Sequence, residues 1–168
     1  MVIQKRIIDK RNSSLIQYMY IVCGGFHNTH TYTFFYRTTP ENGVTKKKLP
    51  HLYLVIIKGS GGVSTGALFK SLRLPVEHPD TDGALAAIQK GDVSALAPLC
   101  ENALEPPATA LLPEIAENKR QLMQNGALSA FMTGSGAAVV GLFPNESAAQ
   151  QAAQALSHLP FVCVCHSL

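Results

Sequence analysis

The chain has 168 residues, enough for one domain with an additional segment. Apolar residues make up 46% and charged residues 15%, which provides for a buried core and excludes wholesale disorder. The formal charge of +3, with no basic stripe interleaved with aromatics, argues against nucleic acid as the main partner.

The N-terminal stretch "MVIQKRIIDKRNSSLIQYMYIVCGG" places basic residues before a modest apolar patch, the order found in an export signal. Gln17 and two tyrosines interrupt that patch, however, and no small-residue cleavage site follows. No apolar run approaches the ~20 residues that a membrane helix requires. "TYTFFYR" alternates as a strand does. "TTPENGVTKKKLP" is polar and turn-rich and reads as a linker. Residues 1–49 hold more than half of the Lys and Arg, four of the five tyrosines and no alanine, and after Pro50 alanine becomes abundant. Two parts are therefore expected: residues 1–49, a segment and linker without material for a core, and residues 50–168, one domain.

From Leu52 the elements follow one another legibly. "LYLVII" is a short continuous apolar run, as in a buried strand. "KGSGGVST" turns the chain, and Ser64 or Thr65 can cap a helix through "GALFKSL". Thr81 or Asp82 is expected to cap "GALAAIQK", with Gly91 ending it in a left-handed conformation. Asp92 caps "VSALAPLCENAL", which Pro98 must kink or break. "PPATALLP" is expected to interrupt again before a helix "PEIAENKRQLMQN" with Pro113 in its first turn. There Glu114 and Glu117 lie near the helix start, the sense that the macrodipole favours, and Gly126 stops the helix. Strands "ALSAFM" and "AAVVGLF" flank a Thr-Gly-Ser-Gly knot, Asn145 caps "ESAAQQAAQALSHL", and "FVCVC" is the last strand.

Strand, helices, strand, strand, helix, strand is the α+β split βαβ order, a ferredoxin-like two-layer sandwich with its first helical crossover enlarged. Helices should cover one face of a largely antiparallel sheet, leaving the other face in need of a partner, either the N-terminal segment or a second copy through self-association. Cys163 and Cys165 alternate and so share one side of the last strand, as small apolar side chains. His166 beside them brings no third or fourth ligand, so no metal site is assigned. Cysteine spacing suits reduced thiols and a cytoplasmic setting.

The knot, Thr133, Gly134, Ser135 and Gly136, admits two readings. Gly134 and Gly136 allow positive φ, so it can be an ordinary hairpin turn. Alternatively its consecutive amides form an anion-binding nest, with the hydroxyls of Thr133 and Ser135 adding donors. "KGSGGVST", at the start of a helix, offers amides to an anion in the same way. No Gly-Lys-Ser/Thr follows either cluster, so neither is a Walker loop.

"GGVSTGALFKSL", "ENALEPPATALLPEI" and "GALSAFMTGSGAAVVGLF" together resemble the C-terminal half of the GHMP small-molecule kinases, over roughly residues 50–168. Among those, they are most similar to the branch that phosphorylates diphosphocytidyl-methylerythritol in non-mevalonate isoprenoid synthesis. The resemblance implies that Thr133, Gly134, Ser135 and Gly136 are a glycine-rich loop closing the phosphate region. It implies that Phe69 stacks on the cytosine of the substrate, with Thr65 and Gly66 lining the same site; without the resemblance, Phe69 is a core residue of a helix. Asn102 and Glu105 fit an Asn-x-x-Glu pattern, read as a cap and a surface contact. ATP with Mg is the implied cofactor, and a cytidine-bearing small molecule the implied substrate.

The chain also departs from that family. The early lysine, the ATP loop P-x-G-x-G-L-G-x-S-S and the aspartate that orients the attacking hydroxyl do not occur, since "IVCGGF" lacks the serines and Asp9 is the only aspartate before Asp80. Gly59 stands where the family usually has proline. No catalytic residue is therefore assigned. The expectation is a truncated or N-terminally divergent kinase, weak or inactive alone; the alternative is a non-catalytic ferredoxin-like module that binds a nucleotide or small phosphorylated ligand.

Overall fold

The run Tyr53–Lys58 forms a strand that sits inside a sheet, which is why it carries apolar side chains on both faces without alternation. The computed structural model describes residues 2–3, 21–22, 50–72 and 80–167. Val2–Ile3 (β1) and Ile21–Val22 (β2) pair antiparallel as a two-stranded sheet of their own. The expected strand "TYTFFYR" and the linker after it lie outside the described residues.

Tyr53–Lys58 (β3) lies between Val139–Phe143 (β5) and Phe161–His166 (β6), and Ser129–Met132 (β4) lies beyond β5, giving the order β4-β5-β3-β6. Every neighbouring pair is antiparallel, with Ile56 opposite Val140 on one side and Cys163 on the other. This is the ferredoxin-like arrangement that the element order implies: the two halves of the split βαβ unit interleave, and the first and third strands end up adjacent.

Local chemistry accounts for the helices. Ser64 caps Thr65–Ser71 (α1), its hydroxyl accepting from the Ala67 amide at 3.4 Å. The cap of Thr81–Lys90 (α2) is Asp80, not Thr81 or Asp82, because the Asp80 carboxylate reaches the Gly83 amide at 2.9 Å. Gly91 ends that helix at φ 69°. Asp92 caps Val93–Leu96 (α3), which passes into a 3₁₀ turn at Ala97–Leu99, so Pro98 does break the helix. "PPATALLP" does not interrupt: Glu105–Leu111 is a helix (α4). Pro106 and Pro107 fall in its first turn, where backbone N–H groups have no intrahelical acceptor and their loss costs little. Pro113 precedes Glu114–Gln124 (α5), and Asn145 caps Glu146–Ala155 (α6), accepting from the Ala148 amide at 2.9 Å.

Period-two alternation divides the sheet residues between two cores. Val55, Ile57, Ala130, Met132, Val139 and Phe143 face α1, α4, α5 and α6, where Leu68, Ala108, Ile115, Leu122, Ala149 and Ala152 meet them. Sheet and helices here make the two layers of the sandwich. Leu54, Ile56, Phe131, Val140, Leu142 and Cys165 point the other way. That second face is not bare, because Ala87 of α2 and Leu96 and Ala97 after it pack into the same cluster. The enlarged crossover thus covers the surface that the element order leaves in need of a partner. Cys163 and Cys165 share this face, as their alternation implies. No helix among the described residues is long and apolar enough to cross a membrane.

Candidate functional site

The β4–β5 connection is built from its own hydrogen bonds. Thr133 N–H donates to Ala138 O at 2.9 Å and Gly136 N–H to Thr133 O at 3.1 Å. Gly134 and Gly136 take φ of 59° and 89°, which only glycine adopts without strain. The intervening amides of Gly134 and Ser135 donate to no acceptor among the described residues, although all four knot residues are half-buried. Two successive N–H groups without acceptors, beside two hydroxyls, suit an anion.

A polar clamp holds the knot from behind. The Asn102 side-chain amide donates to Met132 O at 2.6 Å and to Gly134 O at 2.9 Å, while its carbonyl oxygen accepts from Leu104 N at 3.0 Å. Glu105 accepts from Met132 N at 2.7 Å and pairs with Lys119 through its other oxygen. Asn102 is therefore a cap and more than a cap. Glu105 is not a surface contact, since its side chain is only 16% exposed. Sequence spacing carries no signal for these bonds, which cross 27 to 32 positions.

The other glycine cluster is arranged differently from its sequence reading. Ser60 N–H and Gly61 N–H donate to the two carboxylate oxygens of Glu114 at 3.2 and 2.9 Å. Those amides already hold an anion, the protein's own, and are not open to a phosphate. What this segment brings to the knot is a side chain. Thr65 Oγ1 and Ser135 Oγ lie 2.9 Å apart, joining α1 to the knot across 70 positions. Val63 also approaches it, 3.4 Å from where a Cβ on Gly136 would stand. Phe69 is one helical turn beyond Thr65 and on the same side of α1, and it remains 43% exposed while Leu68 is buried. Gly66 is exposed, with only Ser64 Oγ, at 4.0 Å, near where a Cβ would stand.

The site thus joins two surfaces, a donor-rich knot and a helix face bearing Thr65 and Phe69. Its unengaged donors fit nucleotide phosphates. For Mg the fit is poorer: among the described residues no three His, Cys, Asp or Glu side chains converge as metal ligands, so these residues offer the ion no site of their own. Burial pushes the Cys100 thiol up against a smaller opposing effect of Ser129, and on α5 the Arg120 guanidinium holds the Glu117 carboxyl down.

Residues 84–160 match the family model described as GHMP kinases C terminal. A 4-diphosphocytidyl-2-C-methyl-D-erythritol kinase of Pelotomaculum thermopropionicum is 41% identical over 106 residues, covering 62% of this chain and 37% of that protein. One of Desulfitobacterium hafniense is 41% identical over 117 residues, covering 66% and 40%. Among solved structures, a 4-(cytidine 5'-diphospho)-2C-methyl-D-erythritol kinase superposes with a TM-score of 0.64 at 24% identity, over 79% of this chain and 48% of that one. At that identity the superposition speaks for the fold. The chain spans about two fifths of the length of the curated relatives it matches.

Proposed function

Because residues 84–160 match the GHMP kinase C-terminal model, we propose that the chain provides one side of a 4-diphosphocytidyl-2-C-methyl-D-erythritol kinase site. In this reading Thr133, Gly134, Ser135 and Gly136 hold phosphate oxygens, Phe69 lies against the cytosine, and Thr65 and Gly66 line the space between. The observation that supports it is the 2.9 Å approach of Thr65 Oγ1 to Ser135 Oγ, which joins the helix carrying Phe69 to the glycine knot. The relatives bearing that kinase name supply the substrate class, and ATP with Mg is the cofactor their chemistry uses. A cytoplasmic location belongs to the same reading.

Phosphoryl transfer depends on positioned donors and cations around the β- and γ-phosphates. The sequence contains no glycine loop of the ATP-cradling form P-x-G-x-G-L-G-x-S-S, and each missing donor can be worth ~3 kcal/mol, about a hundredfold in rate. The polypeptide by itself is therefore a weak or inactive kinase. A second reading is a module that binds a cytidine nucleotide without turning it over, since the unengaged amides of Gly134 and Ser135 suit a bound phosphate whether or not it is transferred.

Calorimetric titration of the full chain with CMP, CDP and ATP tests both. Saturable binding of CMP and CDP is expected, and Phe69→Ala should weaken it about tenfold or more, the usual worth of base–aromatic stacking. ATP consumption with the methylerythritol substrate should stay near background, and clear turnover would favour the enzyme over the module. Absence of cytidine binding, or an unaltered affinity in Phe69→Ala, sinks the site.

A further inference from the structure

The loop before α1 has no strong cap of its own: Ser64 Oγ meets the Ala67 amide at a long 3.4 Å. Its firmest tether comes from elsewhere in the chain. Both oxygens of Glu114 accept backbone N–H groups, from Ser60 and from Gly61, and bonds to a charged acceptor are the stronger kind. The approach is possible only against bare backbone. A Cβ on Gly59 would overlap the Glu114 carboxylate, and one on Gly61 would stand 2.7 Å from Glu114 Oε2 and from Leu112 Cδ1. Gly59 has no positive φ, so conformational freedom is not what it provides there; it provides room for this carboxylate.

We propose that Glu114 is a positioning residue for the base-binding side of the site: a resident carboxylate that locks loop 59–61 and thereby sets where α1 presents Thr65 and Phe69 to the knot. The proposal rests on the reading of Phe69 as the cytosine contact. Three residues separate Gly61 from Thr65, so displacement of the loop passes into the first turn of α1 with little to absorb it. The knot has a separate support in Asn102 and Glu105. Loss of Glu114 therefore acts first on the base side, and reaches the phosphate side only through the Thr65–Ser135 contact while Asn102 and Glu105 still hold the knot.

That separation supplies the test. The full-length protein and its Glu114→Ala, Glu114→Gln and Gly59→Ala variants are titrated with CMP and, independently, with inorganic pyrophosphate. Glu114→Ala is expected to weaken CMP about tenfold, as loss of two charge-assisted bonds from a positioning loop allows, with pyrophosphate affinity within about twofold. Glu114→Gln keeps one acceptor and should fall between. Gly59→Ala should resemble Glu114→Ala, and the Gly59→Ala/Glu114→Ala double variant should be no worse than Glu114→Ala, because the obstructing group is gone. Unchanged CMP affinity in both Glu114 variants overturns the proposal, as does a parallel loss of CMP and pyrophosphate binding, which marks a general brace. If Glu114→Ala is unfolded by circular dichroism, Glu114→Gln decides alone. If the unaltered protein binds pyrophosphate but not CMP, the cytosine reading fails and takes this proposal with it, whereas CMP binding indifferent to Glu114 removes this proposal only.

Discussion

Asn102 shows how much one side chain can govern at the residue scale. Its amide bridges the carbonyls of Met132 and Gly134, fixing the chain on either side of Thr133 where the two amides without acceptors lie. Asn102→Ala leaves both carbonyls without that donor in a half-buried setting, and a cost of about 1–3 kcal/mol is expected in denaturant unfolding. Pyrophosphate affinity should fall with it, since the knot loses its backing. Asn102→Asp should be at least as damaging, because a carboxylate oxygen would then face two carbonyl oxygens. A stability change without loss of anion binding in either variant would show that the knot keeps its shape unaided. Nothing in the sequence around Asn102 announces this role: the cap to Leu104 is local and legible, but the bonds to the knot depend on a turn 30 positions away.

At the scale of elements, most boundaries follow from capping chemistry, and the departures from local expectation have simple physical causes. Asp80, Thr81 and Asp82 stand in a row at the start of α2, and which of them caps is decided by which oxygen reaches the third amide of the helix. Asp80 does so. Asp80→Ala should therefore cost about 1 kcal/mol in thermal or chemical unfolding, whereas Asp82→Ala, which removes only a first-turn charge, should cost a few tenths. Equal effects of the two would contradict the assigned cap. The segment 106–113 reads as an interruption because it is rich in proline. Its two leading prolines instead occupy the helix positions that tolerate them, immediately after Glu105. Glu114 illustrates the same ambiguity: an acidic residue at a helix start suits the macrodipole, and the same carboxylate also serves a loop more than 50 positions earlier.

At the scale of the whole molecule, the two cores meet through β5, and Gly141 in that strand lies close against Leu122 of α5. A Cβ there would lie 2.9 Å from Phe143 Cε2, 3.0 Å from Leu122 Cδ2 and 3.4 Å from Ala127 Cβ. Gly141→Ala should overpack this contact and cost about 1–3 kcal/mol, read as a shift of the unfolding midpoint, despite the better strand propensity of alanine. A neutral or stabilising effect would mean that α5 can retreat from the sheet.

Hydrophobic period, caps and turn residues are properties of a few neighbouring positions. They sufficed for the strand order from Leu52 onward and for its helices other than Glu105–Leu111, for the ferredoxin-like class, for the shared side of Cys163 and Cys165, and for the glycine requirement of the knot. The covering of the second sheet face by α2 and the turn after α3, the clamp of Asn102 and Glu105, the carboxylate lodged in the Ser60–Gly61 amides and the meeting of Thr65 with Ser135 were decided only when the chain closed on itself. Each of these joins groups far apart along the chain, and a hydrogen bond or a packed contact depends on distance in space, which no local pattern of residue types records.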